Sequence, residues 1–369
     1  MRLQALTLNG FRNYGEAELH PAEGVNLLLG DNAQGKTNLL EAIYYLAAGK
    51  SFRTHREAEL IGFGRDYAEL CAEVYTEERE QTLRAVLFSG RRPRQLYLSG
   101  IRQKTFSGIA GKLTAVLFCP QDLYILREGS APRRRLLDFA LCQLRTGYDY
   151  ALSEYTRLCD AKSRILRERE LHPDFLQVLP EYSEGMCRYG ARILKLRAAY
   201  LRALGEEAAK FHRDFSGGGE TLSLIYHTVS SVTDIYAEES VLYGQLKDHM
   251  QSHERAELES GQCLSGIHKD DFESFLGELP IKSYASQGQT RTAAISLKLA
   301  EREIFRRDTG ELPVLLLDDV LSELDGKRQD YLLNRLENGQ IFITCCEKNR
   351  LTELGKAFLV QNGTVSEEE

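Results

Sequence analysis

The spacing of hydrophobic and polar residues predicts a strand-rich beginning, a helical middle and an end in which helices and strands alternate. Residues 3–8 alternate, and residues 25–29 form a continuous apolar run, so both are predicted to be strands. Residues 35–48 place hydrophobic side chains at helical spacing. Further strand-like runs lie at 17–20, 69–75, 82–88 and 115–119. A buried strand that leads into a helix is typical of an α/β domain.

The middle of the chain is predicted to be mainly helical. The helical pattern covers residues 132–169 and 174–213, with a break at His172-Pro173. A helix of about 40 residues is about 60 Å long, so a short antiparallel helical arm is expected. Kinks near Pro180 and Gly190 would shorten it.

The C-terminal part alternates between helices and strands. Helices are predicted over residues 287–307 and 326–336, and strands over 314–317 and 341–344. Four consecutive apolar residues at 314–317 suit a strand that is buried on both faces, as in a parallel sheet.

The amino-acid composition and the net charge exclude several classes of protein. The chain has 369 residues with 43% hydrophobic and 27% charged residues, which is ordinary globular usage. A net charge of -7 excludes a uniformly basic nucleic-acid coat. Neither a signal peptide nor an apolar run of about 18 residues is present, so no membrane association is expected. The 8 cysteines are scattered without a CxxC pair, which suits neither a zinc site nor a disulfide framework; a cytoplasmic protein is expected.

A phosphate-binding motif lies between the apolar run at 25–29 and the helix that follows it. Its residues are Gly30, Asp31, Asn32, Ala33, Gln34, Gly35, Lys36 and Thr37, which fit GxxxxGK[ST]. The glycines let backbone N–H groups turn towards an anion, Lys36 supplies a positive charge, and the Thr37 hydroxyl can bind Mg²⁺. The start of the helix adds its positive dipole end. The alternative, an ordinary glycine-containing loop, is less favoured because the motif has the required strand and helix beside it.

Two carboxylates follow the apolar strand at 314–317. Asp318 and Asp319 stand at its C-terminal end, where α/β sheets place their ligands. Asp318 is predicted to hold Mg²⁺, and Asp319 to orient or deprotonate the attacking water. The alternative is an acidic strand end without a metal.

Longer stretches around these motifs resemble one family. Ser286–Gln289 precedes the long helix that leads into the acidic strand, and Ser322–Asp325 follows the acidic pair. This order of signature motif, acidic strand and D-loop resembles the ATP-binding-cassette heads of the SMC class. The segments that carry the closer resemblance are 30–46, 50–54, 284–292, 297–301 and 315–325. Together they resemble the RecF family of bacterial recombination mediators, and the middle matches mainly through its expected arm and segment 132–138.

The resemblance implies an α/β fold: an ABC/SMC-type P-loop ATPase head with an inserted short antiparallel helical arm, lobe II. Residues 1–120 would form the N-terminal part of the head, with the phosphate loop and a basic patch. Residues 121–265 would form the arm. Residues 266–369 would complete the head with the signature motif, acidic strand and D-loop. ATP and Mg²⁺ are the implied cofactors.

The resemblance also implies that two heads dimerise around ATP. The phosphate loop of one subunit would hold the nucleotide, while Ser286 and Gly288 of the other reach its γ-phosphate beside Asp325 of the D-loop. A helix N-terminus at Ser286 suits an anion, although an ordinary helix cap is the alternative. Gln121 fits the position of a Q-loop residue that senses Mg²⁺ or γ-phosphate. Arg53 either reaches the phosphates or is a solvated arginine.

Three positions depart from related patterns. Asp319 stands where transporter cassettes have glutamate, and its shorter side chain predicts slow hydrolysis. Thr344 precedes Cys345 and Cys346 where transporters place a histidine; it either binds nucleotide weakly or ends the strand. Segment Gly266–Asp271 resembles the family's Gly-Pro-His-Arg-Asp-Asp element with two replacements, and its histidine, His268, is expected to be structural.

A local basic excess predicts DNA binding. Residues 84–145 hold twelve basic and three acidic residues in a chain of net charge -7. The candidate DNA-binding residues are Arg91, Arg92, Arg94, Arg133, Arg134 and Arg135. The first three are expected at a hairpin tip and the others at the start of the arm; a solvated basic face is the alternative. Since no base-reading motif is present, binding to double-stranded and gapped DNA should be independent of sequence.

The implied function is that of an ATP-dependent mediator in DNA replication and gap repair. It would act with RecR, with RecO as a further candidate, to assist RecA loading onto single strands coated by single-strand-binding protein, and would support SOS induction. Slow DNA-stimulated ATP hydrolysis would serve as a switch. The alternative is the nucleotide-binding subunit of an ABC transporter, which needs membrane partners. A structural SMC tether needs far longer heptad arms, and a small-molecule kinase has no use for the Ser286 motif.

Overall fold

The computed structural model describes residues 1–77, 79–336, 338–346 and 355–368. The strands are β1 (Arg2–Phe11), β2 (Tyr14–Leu19), β3 (Val25–Leu29), β4 (Tyr67–Tyr75), β5 (Glu80–Phe88), β6 (Gln95–Leu98), β7 (Ile101–Gln103), β8 (Ala115–Phe118), β9 (Leu222–His227), β10 (Asp271–Leu276), β11 (Leu279–Pro280), β12 (Val314–Leu317), β13 (Ile341–Cys345), β14 (Lys356–Gln361) and β15 (Thr364–Glu367). The helices are α1 (Lys36–Ala48), α2 (Ser130–Leu144), α3 (Tyr148–Arg167), α4 (Leu179–Ser216), α5 (Glu239–Ser260), α6 (Ile281–Tyr284), α7 (Gln287–Thr309) and α8 (Gly326–Leu333).

A mainly parallel sheet places the two chemical motifs at one edge. Its strand order is β15-β14-β3-β13-β12-β8, with β15 antiparallel to β14. Every residue of β8 and β12 is buried, as expected of strands covered on both faces. β3 and β12 both run parallel to β13, which lies between them. The phosphate loop after β3 and the acidic pair after β12 therefore lie at the same edge.

The helix after the phosphate loop lies between two sheets. The second sheet is antiparallel, with order β2-β1-β4-β5-β6-β7. One hydrophobic cluster joins Leu8 of β1, Ile43 of α1, Leu70 of β4 and Leu316 of β12. All residues of α1 from Leu39 to Ala48 are buried. This packing confirms the helix predicted over 35–48 and anchors the loop in front of it.

The helical middle differs from the sequence prediction in its first half. The predicted helix over 132–169 is two helices, because Gly147 adopts a left-handed conformation with φ of 77° between α2 and α3. The second half is one helix: α4 has 38 residues, a length of about 57 Å. Pro180 lies in its first turn, where the missing N–H breaks no helical hydrogen bond. Gly190 does not interrupt the helix either.

Helix α4 joins the helical lobe, α2 to α5, to the sheets. It packs against α3 and α5 within the lobe and against α7 outside it. One hydrophobic cluster includes Leu27 of β3, Leu194 of α4 and Ile295 of α7. The lobe is therefore packed onto the helix that begins at the signature motif. Within the described part of the chain, no helix is long and apolar enough to cross a membrane.

Candidate nucleotide-binding site

The phosphate loop has a backbone that requires its glycines. Gly30 and Gly35 have φ values of 148° and 121°, where side chains are rarely tolerated. A Cβ at Gly30 would collide with the Val360 carbonyl, and one at Gly35 would lie 2.8 Å from the Tyr14 hydroxyl. Helix α1 begins at Lys36 and no side chain caps it. Its first backbone N–H groups are therefore available to an anion.

Residues outside the motif hold the loop in shape. Tyr14 donates its hydroxyl to the Gly35 carbonyl at 3.0 Å, and Asn13 donates to the Gln34 carbonyl at 2.8 Å. Asn13 lies in the β1–β2 turn and Tyr14 begins β2, and the sequence alone did not connect either residue with the site. Lys36 is buried, and its ammonium donates to the carbonyl of Asp31 at 2.9 Å as well as to that of Gly30. The positive charge is thus already inside the loop.

The predicted metal ligands lie together. The Thr37 hydroxyl donates to Oδ1 of Asp318 at 2.9 Å, which joins the phosphate loop to the acidic strand. The Thr344 hydroxyl donates to the same oxygen at 3.2 Å. Burial raises the pKa of Asp318, and the two hydroxyls partly oppose that rise. A hydroxyl beside a carboxylate is a set of hard oxygen ligands, so these residues fit Mg²⁺.

Asp319 is exposed in an unusual backbone conformation. Its φ of 52° is left-handed, and its N–H donates to the Thr344 hydroxyl at 2.7 Å. It lines a cavity of about 650 Å³. Thr37, Arg53, Gln121 and Asp318 line the same cavity. The structure therefore places the candidate catalytic residues Gln121, Asp318 and Asp319 in one cavity with Thr37, and the fourth candidate, Lys36, directly precedes Thr37 in α1.

Arg53 is held at the border of this cavity. It donates to Oδ1 of Asn38 at 2.6 Å and to the fully buried carboxylate of Glu41 at 3.3 Å. Its side chain remains 43% exposed, so it has access to the cavity. Arg12 makes two further hydrogen bonds to Glu41, at 2.7 and 2.8 Å. The Arg53 contact with phosphate stays a prediction.

A buried charged group forms part of the cavity wall. Lys298 of α7 contacts Glu301 at 3.0 Å and Asp122 at 3.7 Å. Burial raises the pKa of Glu301. Asp122 directly follows Gln121, so the group ties α7 to the Q-loop position. Lys298 and Glu301 lie in the family-like segment 297–301, so the sequence marked these positions, but no role for either residue followed from the sequence alone.

The signature motif makes hydrogen bonds within its own helix and to Arg328. Ser286 caps α7, accepting from the Gln289 N–H at 3.2 Å. Arg328 donates to the Gly288 carbonyl at 2.8 Å and also pairs with Asp325 of the D-loop. Among the described residues, neither Ser286 nor Gly288 hydrogen-bonds to the phosphate loop. Arg328, which the sequence reading missed, joins the signature motif to the D-loop.

Half of the predicted DNA-binding arginines have internal partners. Arg94 contacts Tyr45, the Gly49 carbonyl and Glu57 at 2.6–2.9 Å. Arg133 is 5% exposed and binds both oxygens of Asp271 at 2.7 Å, and Arg134 donates to the Asp270 carbonyl at 2.6 Å. Burial of Arg133 demands a partner for its charge, and the partly exposed Arg94 and Arg134 also bind groups of the fold. Their contact with DNA stays a prediction.

The other three predicted arginines differ in position. Arg91 and Arg92 are exposed on the β5–β6 loop, at the predicted hairpin tip, and Arg92 lies over the Phe88 ring at 4.1 Å. Arg135 instead lines the cavity that Thr37 and Asp319 also line, with His55 at 3.4 Å. The basic run 133–135 is therefore not one surface. Arg91 and Arg92 are exposed to solvent, and their contact with DNA phosphates stays a prediction.

Two family-like segments pair with each other in the helical lobe. Residues 132–138 supply Asp138, which binds Arg197 of α4 at 2.8 Å. Residues 266–271 supply Asp270, 3.8 Å from the same guanidinium, and Asp271, the partner of Arg133. Arg197 is 2% exposed. Both segments thus serve to join α2 and β10 to α4, a role that the sequence reading did not assign.

These observations define a class of protein. The parallel sheet carries a phosphate loop after one strand and an acidic pair after a nearby strand. The signature helix packs on the helical lobe, and an antiparallel sheet is added. Together these features define the head of an SMC-type ATP-binding-cassette ATPase. A family model described as "RecF/RecN/SMC N terminal domain" matches residues 2–366. The chain belongs to the RecF family.

Individual relatives are similar in sequence to this protein along all or nearly all of its length. The DNA replication and repair protein RecF of Clostridium novyi is 35% identical over 371 residues, covering 100% of both chains. That of Acetivibrio thermocellus is 34% identical over 348 residues, covering 94% of each. Solved structures of the recombination mediator protein RecF in the RecFOR pathway, RecF-ATPrS and RecF-ATP, match with TM-scores of 0.90 and 0.88 at 34% identity. They cover 100% of this chain and 98% and 97% of theirs. An Smc head at 16% identity and a TM-score of 0.54 shares the fold.

Proposed function

We propose that this protein acts in DNA replication and repair as a DNA-binding switch controlled by ATP. The hydrogen bond of 2.9 Å between Thr37 and Asp318 carries the proposal, because it joins the phosphate loop and the acidic strand into one Mg²⁺–ATP site. A similar RecF structure was solved as a complex with ATP, which supports the choice of nucleotide. Residues 30–37 hold the phosphates, and Thr37 and Asp318 hold Mg²⁺.

The residues around the phosphates have separable tasks. Lys36 and the first N–H groups of α1 neutralise the terminal phosphates. Thr37 and Asp318 would hold Mg²⁺, which would supply positive charge against the negative charge of the phosphates. Asp319 orients or deprotonates the attacking water, and Gln121 senses the γ-phosphate from the same cavity. The short side chain of Asp319 makes hydrolysis slow, which suits a switch.

The nucleotide site is completed by a second copy of the chain. Ser286 is exposed at the start of α7, and its hydrogen bonds stay within the capping turn. A helix N-terminus with an exposed serine suits the γ-phosphate of ATP bound to the other subunit. Gly288 and Asp325 belong to the same surface because Arg328 joins them. ATP therefore promotes dimerisation.

DNA contacts the antiparallel-sheet side of the dimer. Arg91 and Arg92 supply the phosphate contacts, and Arg102 and Lys104 at the next hairpin are also exposed. The contacts reach the backbone rather than base edges, so binding to double-stranded and gapped DNA is independent of sequence. RecR and RecO are the proposed partners, because the similar RecF structures are described within the RecFOR pathway. RecA loading, SOS induction and DNA stimulation of hydrolysis belong to the same proposal.

Sedimentation velocity with and without ATP and a gapped duplex tests this model. Wild type should double in mass with ATP and bind DNA more tightly, whereas Lys36→Met should do neither. Lys210→Met is the matched control, since it removes an exposed charge on α4 far along the chain from the site. Ser286→Arg should bind ATP yet stay monomeric. A wild type that remains monomeric at saturating ATP and DNA would contradict the switch.

A further inference from the structure

Three potential metal ligands, scattered in the sequence, meet in the helical lobe. Cys159 lies on α3, Cys263 lies in the connection from α5 to β10, and His268 lies in the 3-10 turn Ile267–Lys269. One ligand atom from each lies within 4.8 Å of the others. Ligands of a tetrahedral zinc with Zn–S bonds of 2.3 Å are about 3.8 Å apart. Small side-chain adjustments would therefore bring all three to one ion.

The loop that carries Cys263 is held in place by hydrogen bonds to Glu257. Glu257 accepts hydrogen bonds from the N–H groups of Leu264 at 2.8 Å and Ser265 at 3.2 Å. The same carboxylate pairs with Lys162 of α3 at 2.6 Å, and both side chains are almost fully buried. A buried ion pair with further hydrogen bonds is a rigid anchor. The loop of Cys263 is thus tied to α3, on which Cys159 lies one turn before Lys162.

The position of His268 beside the two cysteines depends on Gly266 and Tyr155. Gly266 has φ of 130°, and a Cβ there would collide with the Tyr155 hydroxyl. That hydroxyl lies 2.9 Å from Nδ1 of His268. Metal-binding imidazoles commonly have their second ring nitrogen held by such a partner. The ring orientation is therefore set before any ligand arrives.

We propose that Cys159, Cys263 and His268 form a Zn²⁺ site. Two thiolates and one imidazole are the ligands that zinc prefers, whereas Mg²⁺ and Ca²⁺ prefer oxygen. Cys159 and His268 are partly exposed, which provides access for the ion and room for water as the fourth ligand. The site is independent of the nucleotide site and contains none of its residues.

Zinc at this position would fasten the 261–268 loop to α3. The next residues, Asp270 and Asp271, hold Arg197 and Arg133. The ion would therefore stabilise the connection of β10 to α2 and α4. The expected effect is on the stability of the helical lobe.

Metal titration of the full chain tests the proposal directly. Protein treated with chelator and kept reduced is titrated with Zn²⁺ against a chromophoric competitor, and Co²⁺ is added separately as a spectroscopic probe. We expect one high-affinity Zn²⁺ per chain and the intense absorption of Co²⁺–thiolate bonds. Cys159→Ser, Cys263→Ser and His268→Ala should each weaken Zn²⁺ binding at least about 10- to 100-fold, the effect reported for losing even an outer partner. Cys71→Ser, in β4, should bind Zn²⁺ as wild type does.

If a variant folds poorly, the Co²⁺ spectrum still tests the site, because that spectrum is recorded on the wild-type protein alone. Absence of thiolate-to-Co²⁺ absorption in reduced wild type would overturn the site. Equal Zn²⁺ affinity in wild type and in well-folded Cys159→Ser would do the same, since the ion would then bind elsewhere. Peptide mapping that finds a Cys159–Cys263 disulfide and no zinc in protein isolated from cells would show a redox pair instead.

Discussion

The hydroxyl of Thr344 lies 3.2 Å from Oδ1 of Asp318, across neighbouring strands of the parallel sheet. The same hydroxyl accepts the backbone N–H of Asp319 at 2.7 Å. One buried side chain thus holds the metal-binding carboxylate and the left-handed backbone of the residue proposed to act on water. Thr344 occupies the strand end where transporter cassettes have a histidine, but its contacts are with the acidic pair.

Replacing Thr344 by valine should slow ATP hydrolysis while ATP binding is kept. Valine has a similar shape but leaves the Asp319 N–H without its acceptor, at a cost of about 1–3 kcal/mol. A cost of this size, if it falls on the transition state, corresponds to roughly five- to 160-fold in rate. Steady-state hydrolysis and fluorescent-nucleotide binding measure the two effects. Thr344→Ser keeps the hydroxyl and is the control; an equal loss in that variant would point to methyl packing instead.

Asp319→Asn should abolish most hydrolysis and leave ATP-dependent dimers long-lived. The amide keeps the size of the side chain but cannot accept a proton from water, and loss of a general base typically costs 10²–10⁴-fold. Phosphate release and sedimentation with ATP measure the two properties. Wild-type turnover itself should lie below the tens per second, and faster turnover would refute the switch.

Arg328→Met should weaken ATP-dependent dimerisation without preventing ATP binding. The guanidinium donates to the Gly288 carbonyl and to Thr292 at 3.1 Å, and pairs with Asp325. Methionine would release the D-loop from the signature motif. Lys327→Met removes the same charge one residue away and should dimerise like wild type. Equal dimerisation of Arg328→Met and Lys327→Met would argue against a role for this linkage.

Charge reversal at Arg91 and Arg92 should weaken DNA binding and leave stability and ATP binding unchanged. Two lost phosphate contacts should make the slope of log affinity against log salt shallower by about two. Arg94 is left intact because it pairs with Glu57. The control reverses two exposed arginines of the helical lobe, Arg157 and Arg255. Loss of DNA affinity in both double variants would mean a net-charge effect rather than a local contact.

Arg133→Gln should destabilise the fold, because it leaves Asp271 without its bidentate partner. We expect a loss of about 3 kcal/mol, the lower end for broken buried pairs, since Asp271 stays partly exposed. Chemical denaturation measures it. Arg135→Gln, two residues away on the same helix, should change stability by less than about 0.5 kcal/mol. If Arg133→Gln unfolds like wild type, the pairing contributes little.

The same pair predicts a pH dependence. Burial raises the pKa of Asp271, but the hydrogen bonds and charge of Arg133 outweigh it, so the pKa lies below the ordinary 3.8. A carboxyl with a lowered folded-state pKa stabilises the protein above the unfolded-state value, and that stability is lost as pH falls. The difference in unfolding free energy between wild type and Arg133→Gln should therefore be largest near neutrality and shrink below about pH 4. A difference that grows on acidification would contradict this sign.

Local patterns were sufficient for the elements that carry the chemistry. The run at 25–29, the glycine-rich motif and the run at 314–317 predict a phosphate loop and an acidic strand end, and the structure confirms β3, α1 and β12 at those positions. The reason is that helix and strand periods, and the backbone freedom of glycine, act within a few residues. The break at Gly147 was missed because a helical pattern continues on both sides of it.

By itself, the sequence determined the order of the motifs, the family and the strand-and-helix elements around the phosphate loop. The tertiary structure decided what the polar side chains do: Arg133 binds Asp271 rather than solvent, Thr344 supports the acidic pair, and Cys159 lies beside Cys263 and His268. These partners are far apart in the chain: Arg133 and Asp271 are separated by 138 residues, and Thr344 and Asp318 by 26 residues. No period or local spacing records a contact between distant segments, so only the packing of helices and strands could assign these roles.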